Sequence, residues 1–449
     1  MLRFGTDGVR GVARTELTTA YVEALGSAAA RVLGAGTWLV GRDTRESGPV
    51  LQDAFAQGLA AGGSTVIDCG DVPTPALAHA SFVRRMPAAM VTASHNAYTD
   101  NGVKIFAAGG SKLSDDIERR IERELDAILG YDTILGSGGA VVAAGVPSTG
   151  SMEGSDVLDR YVDHIVGMFP TGVLSGLGVV LDCANGAMSV AAPIVLRALG
   201  ADVTVINASP DGTNINASCG ATHTGALAAA VVAAGVDAGL AFDGDGDRVI
   251  AIDGTGAVVD GDRLIALGAL QLRSEGALTD NTVVVTVMSN LGFHHAMREA
   301  GVAVVTTSVG DRNVLEALDL GGYAIGGEQS GHVIYRHNAT TGDGLLAGLK
   351  LLQRVRSSGR TLADLAGSVM TTYPQILVNI RVGERHPDIA AELADEIAVV
   401  TKLLGDDGRV LVRPSGTEPL VRVMVEAASD AQAAELAEGL AGIVRARYA

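Results

Sequence analysis

Ala238-Gly239-Leu240-Ala241-Phe242-Asp243-Gly244-Asp245-Gly246-Asp247-Arg248 is the stretch on which the reading of this chain turns. Five small or apolar residues form a strand that runs straight into a loop where three carboxylates alternate with glycines. Held close together, Asp243, Asp245 and Asp247 repel one another, which raises their pKa values or splays them apart. A hard divalent cation with oxygen ligands removes that conflict, and the glycines let the loop wrap it. An EF-hand loop needs glycine at its sixth position and glutamate at its twelfth, where this chain has Arg248 and Gly254. The bland alternative is a solvated Asp-Gly turn, but three carboxylates within five residues exceed what a turn requires.

Working outward, the acidic strand is the third of a repeating block. Val179-Val180-Leu181 reads as a strand, followed by a helix through Leu196, a strand Val203–Ile206 and an Ala-rich helix from Gly225. Upstream, the strand Trp38-Leu39-Val40 precedes a helix from about Ser47, with Leu51, Phe55 and Leu59 on one face. Then come a strand Thr65-Val66-Ile67, a helix opened by Pro73-Thr74-Pro75, and a strand Ala89-Met90-Val91 that ends on Thr92-Ala93-Ser94-His95-Asn96. Downstream, Val283-Val284-Val285, a helix around His294 to Ala300, Val302–Val305, a helix near Asn313 to Leu318 and Tyr323-Ala324-Ile325 end on Gly326-Gly327-Glu328-Gln329-Ser330. Three blocks thus place a polar, Gly-rich loop at the same point, beyond a strand's carboxyl end, where ligands gather in α/β sheets.

From about Tyr373 the pattern changes. A strand Ile376–Ile380, a helix around Ala390 to Val399, and strands Arg409–Val412 and Leu420–Val425 enclose Arg413-Pro414-Ser415-Gly416-Thr417-Glu418-Pro419. The predicted fold class is α/β: three similar mixed-sheet α/β domains, then a smaller α+β C-terminal domain, with the active site in the cleft between them. Gly136 through Gly154 reads as the first interdomain connection. The expected domains are residues 1–153, 154–252, 253–368 and 369–449.

Composition supports this scheme. At 449 residues the chain calls for several domains, and 47% apolar residues exclude wholesale disorder. Glycine, at 59 residues, exceeds the usual share of about 7%, which points to tight turns and close backbone approaches. Aromatics at 4% predict aliphatic cores. The net charge of −18 disfavours nucleic acid and anionic membranes as partners. Three widely spaced cysteines, Cys69, Cys183 and Cys219, suggest neither a disulfide framework nor a zinc site, and favour a cytoplasmic location. The N-terminus shows no apolar signal core, and no run of about 18 apolar residues predicts a membrane span.

Ser94 stands at a strand end beside His95, but Thr92 and Asn96 occupy the positions where a serine hydrolase needs glycines. A Ser-His-Asn alone is more often a cap or turn; the acidic loop adds weight, because phosphate oxygens on a serine complete a Mg²⁺ shell. Arg413, Ser415, Gly416 and Thr417 resemble an anion cradle, with an ordinary Pro/Gly turn as the alternative. Glu328 and Ser330 suit sugar hydroxyls, and His332 follows in the same loop, although a lone histidine is usually structural. No Gly-Lys dipeptide exists, so there is no Walker A loop. Gly342-Asp343-Gly344-Leu345-Leu346-Ala347 matches the dinucleotide fingerprint formally, but reads as a helix start.

Together these loops resemble the α-D-phosphohexomutase superfamily, from Arg3 to Val425: a phosphoserine loop at Thr92–Asn96, a metal loop at Asp243–Arg248, a sugar loop at Gly327–His332 and a phosphate loop at Arg413–Pro419. Within it, Gln329 in Gly327–Gly331, Gly310-Asp311-Arg312 and Phe4–Gly11 are most similar to the bacterial branch acting on glucosamine phosphates. The alternative is the branch acting on mannose and glucose phosphates; outside enzymes, it is a non-catalytic divalent-ion binder.

The resemblance implies interconversion of glucosamine 6-phosphate and glucosamine 1-phosphate through phosphoserine 94, feeding synthesis of UDP-N-acetylglucosamine for the cell wall. It implies one Mg²⁺ held by Ser94, Asp243, Asp245 and Asp247, and glucosamine 1,6-bisphosphate or glucose 1,6-bisphosphate as intermediate and activator. Arg10 and Lys104 would deprotonate and position the attacking hydroxyl, with His95 beside Ser94 in the catalytic group. Arg248 would contact the phosphoserine, Glu328, Ser330 and His332 the sugar, and the Arg413–Thr417 loop the non-reacting phosphate. The expected state is a monomer or homodimer.

Overall fold

The computed structural model describes residues 2–135, 154–415 and 419–448. The predicted connection at Gly136–Gly154 therefore lies almost wholly outside the described residues, as do Gly416 and Thr417. By its contacts the chain forms two bodies, residues 1–287 with 304–366, and residues 288–303 with 367–449.

The first body contains three mixed sheets. The first has six strands, ordered Phe4–Gly5, Gly8–Val12, Asp100–Phe106, Ala88–Val91, Thr37–Arg42 and Thr65–Asp71. Thr37–Arg42 runs parallel to both Thr65–Asp71 and Ala88–Val91, while Ala88–Val91 pairs antiparallel with Asp100–Phe106. The second sheet repeats the scheme: Gly178–Asp182 is parallel to Asp202–Ile206 and Ala238–Phe242, and Val249–Asp253 returns antiparallel to Ala238–Phe242. In the third, Thr282–Thr286 is parallel to Ile325–Gly327, which pairs antiparallel with Val333–Tyr335. Each predicted polar loop is thus the turn between a parallel strand and an antiparallel return strand.

The strands read from sequence are present, with shifted edges. Tyr323–Ile325 becomes Ile325–Gly327 and Val302–Val305 becomes Ala303–Thr307. The helix face Leu51, Phe55 and Leu59 is buried, and Phe55 meets the buried Trp38 edge-on at 6.3 Å. The formal dinucleotide fingerprint is a helix start, as expected: Asp343 caps helix Gly344–Ser358 by accepting from Leu346 N–H.

The second body holds an antiparallel sheet ordered Gln375–Arg381, Leu420–Glu426, Arg409–Pro414, packed by helix Asp430–Tyr448 over aliphatic residues such as Val421, Val423, Ala437 and Leu440. The single helix expected around Ala390–Val399 is two, Ile389–Glu392 and Ala394–Leu404. Among the described residues, no helix is long and apolar enough to cross a membrane.

Candidate active site

Ser94 is fully buried at the carboxyl end of Ala88–Val91 and adopts φ 54°, in the left-handed region. A non-glycine residue stays there only when its surroundings impose it. They do so through a buried Asp43–Arg45 ion pair at 2.9 Å. Thr92 Oγ1 donates to Asp43 Oδ2 at 2.6 Å and accepts from Ser94 N–H at 2.8 Å. The Arg45 guanidinium donates to the carbonyls of Ser94 at 2.8 Å, Asn96 at 2.9 Å and Asp100 at 3.0 Å, and to that of Ala97. From the second sheet's loops, Asn216 Nδ2 donates to the carbonyls of Ser94 and Asn96.

The acidic loop meets this serine directly. Ser94 Oγ donates to Asp243 Oδ2 at 2.6 Å. The approach depends on glycine: a Cβ at Gly244 would lie 2.6 Å from Ser94 O. Asp243, Asp245 and Asp247 are all buried, with candidate ligand oxygens within 4.8 Å of one another. Lys104 Nζ lies 2.7 Å from Asp245 Oδ2, 2.8 Å from Asp247 Oδ2 and 2.8 Å from Asp7 Oδ2. Among the described residues, Asp245 Oδ1 is buried and makes no hydrogen bond, while Asp247 Oδ1 has the longer approaches of His332 Nδ1 at 3.5 Å and Arg248 Nε at 3.8 Å. Unpartnered buried carboxylate oxygens are costly, and this donor set fits a hard divalent cation.

Electrostatics agree. Burial, then the neighbouring Asp245 and Asp247 charges, hold the Asp243 carboxyl well above its ordinary value. Burial opposes the charge on Lys104, but Asp245, Asp247 and Asp7 outweigh it and hold its pKa well above the usual ammonium value. Burial, with Arg248 and Arg10 adding repulsion, pushes His95 down to about 4, so its imidazole is neutral at pH 7. His95 Nδ1 lies 3.4 Å from Ser94 Oγ. Arg10 donates to Ala93 O at 3.3 Å, and Arg248 N–H donates to Asp243 Oδ1 at 3.1 Å. The Nε donors of both arginines are buried without a hydrogen-bond partner among the described residues, which suits an anion beside Ser94.

The sugar loop borders the same cluster. Glu328 Oε1 accepts from Gly310 N–H at 3.0 Å, and Ser330 Oγ approaches Glu328 Oε2 at 3.4 Å. His332 does not face Glu328. It is buried, with Nδ1 3.5 Å from Asp247 Oδ1, Nε2 3.6 Å from Asp311 Oδ2, and Gly342 N–H donating to Nε2 at 3.2 Å. Lys112 bridges Asp311 to Asp7. Asp247, Lys104, Asp7, Lys112 and Asp311 thus form a chain of alternating charge, both ends of which lie against His332.

In the second body, Arg413 stands opposite Arg422 across the strand pair Arg409–Pro414 and Leu420–Glu426. Neither makes an ion pair among the described residues, and burial, then Arg422, lowers the Arg413 pKa. Ser415 is buried beside them. Two adjacent guanidiniums without a carboxylate suit an anion.

Sequence reasoning found Ser94, the acidic triad, Lys104, Arg248 and the sugar loop, and the structure brings them together within the first body. It missed Asp43, Arg45, Asn216, Lys112 and Arg422, and gave Asp7 and Asp311 no role beyond the motifs that contain them. Asp43-Thr44-Arg45 carried a usable signal, since it directly follows the strand Thr37–Arg42; Asn216 and Lys112 lie in loops with no local pattern.

Comparisons with known proteins match the chain along nearly its whole length. Four domain descriptions of the phosphoglucomutase/phosphomannomutase family match: α/β/α domain I over residues 1–131, domain II over 159–256, domain III over 260–373 and the C-terminal domain over 377–443. The chain is 52% identical to a phosphoglucosamine mutase of Frankia casuarinae, covering 98% of each chain, and 50% identical to that of Rhodococcus jostii at the same coverage. A phosphoglucomutase/phosphomannomutase family protein from Burkholderia thailandensis superposes with a TM-score of 0.81 at 26% identity, covering 98% of this chain and 97% of the other. Aspergillus fumigatus N-acetylphosphoglucosamine mutase, solved with GlcNAc-6P and magnesium, shares the fold at TM-score 0.69 and 20% identity, covering 99% of this chain and 95% of the other. A variant of that enzyme was solved with glucose 1,6-bisphosphate, at TM-score 0.65 and 20% identity, with 99% of this chain and 95% of the other covered. With all four domain matches in order and a serine seated on a buried acidic triad, the chain belongs to the phosphoglucomutase/phosphomannomutase family.

Proposed function

We propose that this chain is a phosphoglucosamine mutase, interconverting glucosamine 6-phosphate and glucosamine 1-phosphate with Ser94 as phosphoryl carrier. The observation that carries the chemistry is the Ser94 Oγ–Asp243 Oδ2 hydrogen bond inside a buried three-carboxylate loop. The sugar assignment rests on full-length relatives about half identical to the chain.

Phosphoserine 94 gives its phosphoryl group to the free hydroxyl of the bound monophosphate, forming a 1,6-bisphosphate; after the intermediate turns over, its other phosphate returns to Ser94. Asp243, Asp245 and Asp247 would hold Mg²⁺, which when bound would supply charge neutralisation for the transferring group. Arg10 and Arg248, whose Nε donors make no hydrogen bond among the described residues, would contact that group. In the dephosphorylated state the Ser94 proton points at Asp243 Oδ2. Lys104, held between Asp245, Asp247 and Asp7, helps with Arg10 to deprotonate and position the attacking hydroxyl. His95 stands beside Ser94 in the same catalytic group. Glu328 and Ser330 hold sugar hydroxyls in both orientations, and His332 fixes the sugar loop to Asp247. Arg413, Ser415, Gly416 and Thr417, joined by Arg422, grip the phosphate that is not reacting.

The remaining expectations are part of the proposal: domain limits near residues 153, 252 and 368, a cytoplasmic monomer or homodimer, one Mg²⁺, and a hexose 1,6-bisphosphate activator. A coupled assay comparing glucosamine 6-phosphate with glucose and mannose phosphates tests it. A higher kcat/KM for glucosamine 6-phosphate supports the proposal; a preference for mannose or glucose phosphate assigns the chain to the other branch.

A further inference from the structure

Asp245, the middle carboxylate of the acidic loop, is held from outside its loop. Thr74 Oγ1 donates to Asp245 Oδ2 at 2.5 Å, and Thr74 N–H donates to Asp245 O at 2.9 Å. Thr74 is 1% exposed and opens helix Thr74–Arg84 between Pro73 and Pro75, whose rings restrict the backbone on both sides. Side-chain and main-chain donors from one rigid residue thus fix both the carboxylate and the loop carrying it. Lys104 reaches the same oxygen, but shares its ammonium with Asp247 and Asp7. Among the described residues, the Thr74 side chain donates to Asp245 alone.

We propose that Thr74 is a positioning residue for the metal site: by engaging Oδ2 it turns the unpartnered Oδ1 of Asp245 toward the cation. The inference rests on the metal reading above. It ties a ligand in the second sheet's loop to the sheet that carries Ser94, so that metal and phosphoserine keep a common register. Partners that orient a metal ligand typically change affinity by about 10–100-fold when removed.

The test is Mn²⁺ binding to the dephosphorylated full-length protein by electron paramagnetic resonance, with Mg²⁺ as competitor. Thr74→Val should raise the dissociation constant about tenfold, and Thr74→Ser should restore it. Thr74→Ala replaces the valine variant if the latter gives no cooperative melt. The Mg²⁺-induced rise in Tm should shrink in Thr74→Val, while KM for the sugar phosphate at saturating Mg²⁺ stays at the wild-type value. Wild-type affinity in the valine or alanine variant, or a serine variant as weak as they are, overturns the proposal. A wild-type protein that binds neither ion overturns the metal reading itself.

Discussion

Ser94 Oγ and Asp243 Oδ2, separated by 149 positions in sequence, are 2.6 Å apart and fully shielded from solvent. The contact places the hydroxyl proposed to carry phosphate against the carboxylate whose charge is least well compensated in the loop. Asp245 and Asp247 each face the Lys104 ammonium, whereas Asp243 takes hydrogen bonds from Ser94 Oγ and Arg248 N–H. Phosphorylation and cation binding therefore address the same local imbalance.

Removing one carboxylate leaves the cation underliganded and the other two repelling. Asp245→Ala should lower kcat at least about a hundredfold, the loss of several kcal/mol of charge stabilisation. Chelation should silence the wild type, and added Mg²⁺ should restore it in the same steady-state assay. Full activity in excess chelator would refute the metal assignment.

Arg45 holds the Ser94 loop by four carbonyls, so its removal has two separable effects. Arg45→Ala strands Asp43 as a buried charge and should cost about 3–5 kcal/mol in urea unfolding. Arg45→Lys keeps the charge but loses the planar fork. It should fold, with kcat reduced about ten- to hundredfold and KM little changed.

A mutase must retain a bisphosphate while it reorients, whereas a phosphatase holds only the phosphate it removes. Arg413→Ala should raise KM for the monophosphate about ten- to 150-fold, the equivalent of about 1.5–3 kcal/mol for a charge-assisted bond. Bisphosphate release per turnover should rise, and added bisphosphate should recover activity. Unchanged KM and release would remove Arg413 from phosphate binding.

His79 and His164 stack at 3.9 Å, and burial lowers both, His79 to about 4 from 6.5, with its neighbour's charge adding to the effect. Between those two values the unfolded chain binds more protons than the folded one, so stability falls as pH falls through that window. His79→Phe should flatten the dependence of unfolding free energy on pH there by up to about one proton. An identical slope in both proteins would show that the pair does not titrate in this way.

Much of this was legible in the chain itself, because buried strands leave an unbroken apolar signature and the loops after them carry chemistry. Ala238–Phe242 and its acidic loop were read with their boundaries intact. The return strands Asp100–Phe106, Val249–Asp253 and Val333–Tyr335 were not named, since each follows a functional loop too closely to be separated from it. Arg45, Asn216 and Lys112 were missed for a different reason: their partners are backbone carbonyls or charges distant in sequence, and no local periodicity records those contacts. His332 was placed with the sugar loop by proximity, but its ring turns to Asp247 and Asp311.

The central claim is that Ser94 is the phosphoryl carrier, and intact-protein mass spectrometry with phosphosite mapping addresses it most directly. Wild-type protein incubated with glucosamine 1,6-bisphosphate and Mg²⁺ should gain the mass of one phosphate, located on Ser94, and lose it on addition of excess monophosphate. Ser94→Ala should fold, gain no phosphate and show no turnover. Phosphate mapped to another residue, or a Ser94→Ala variant that retains most of its kcat, would contradict the account.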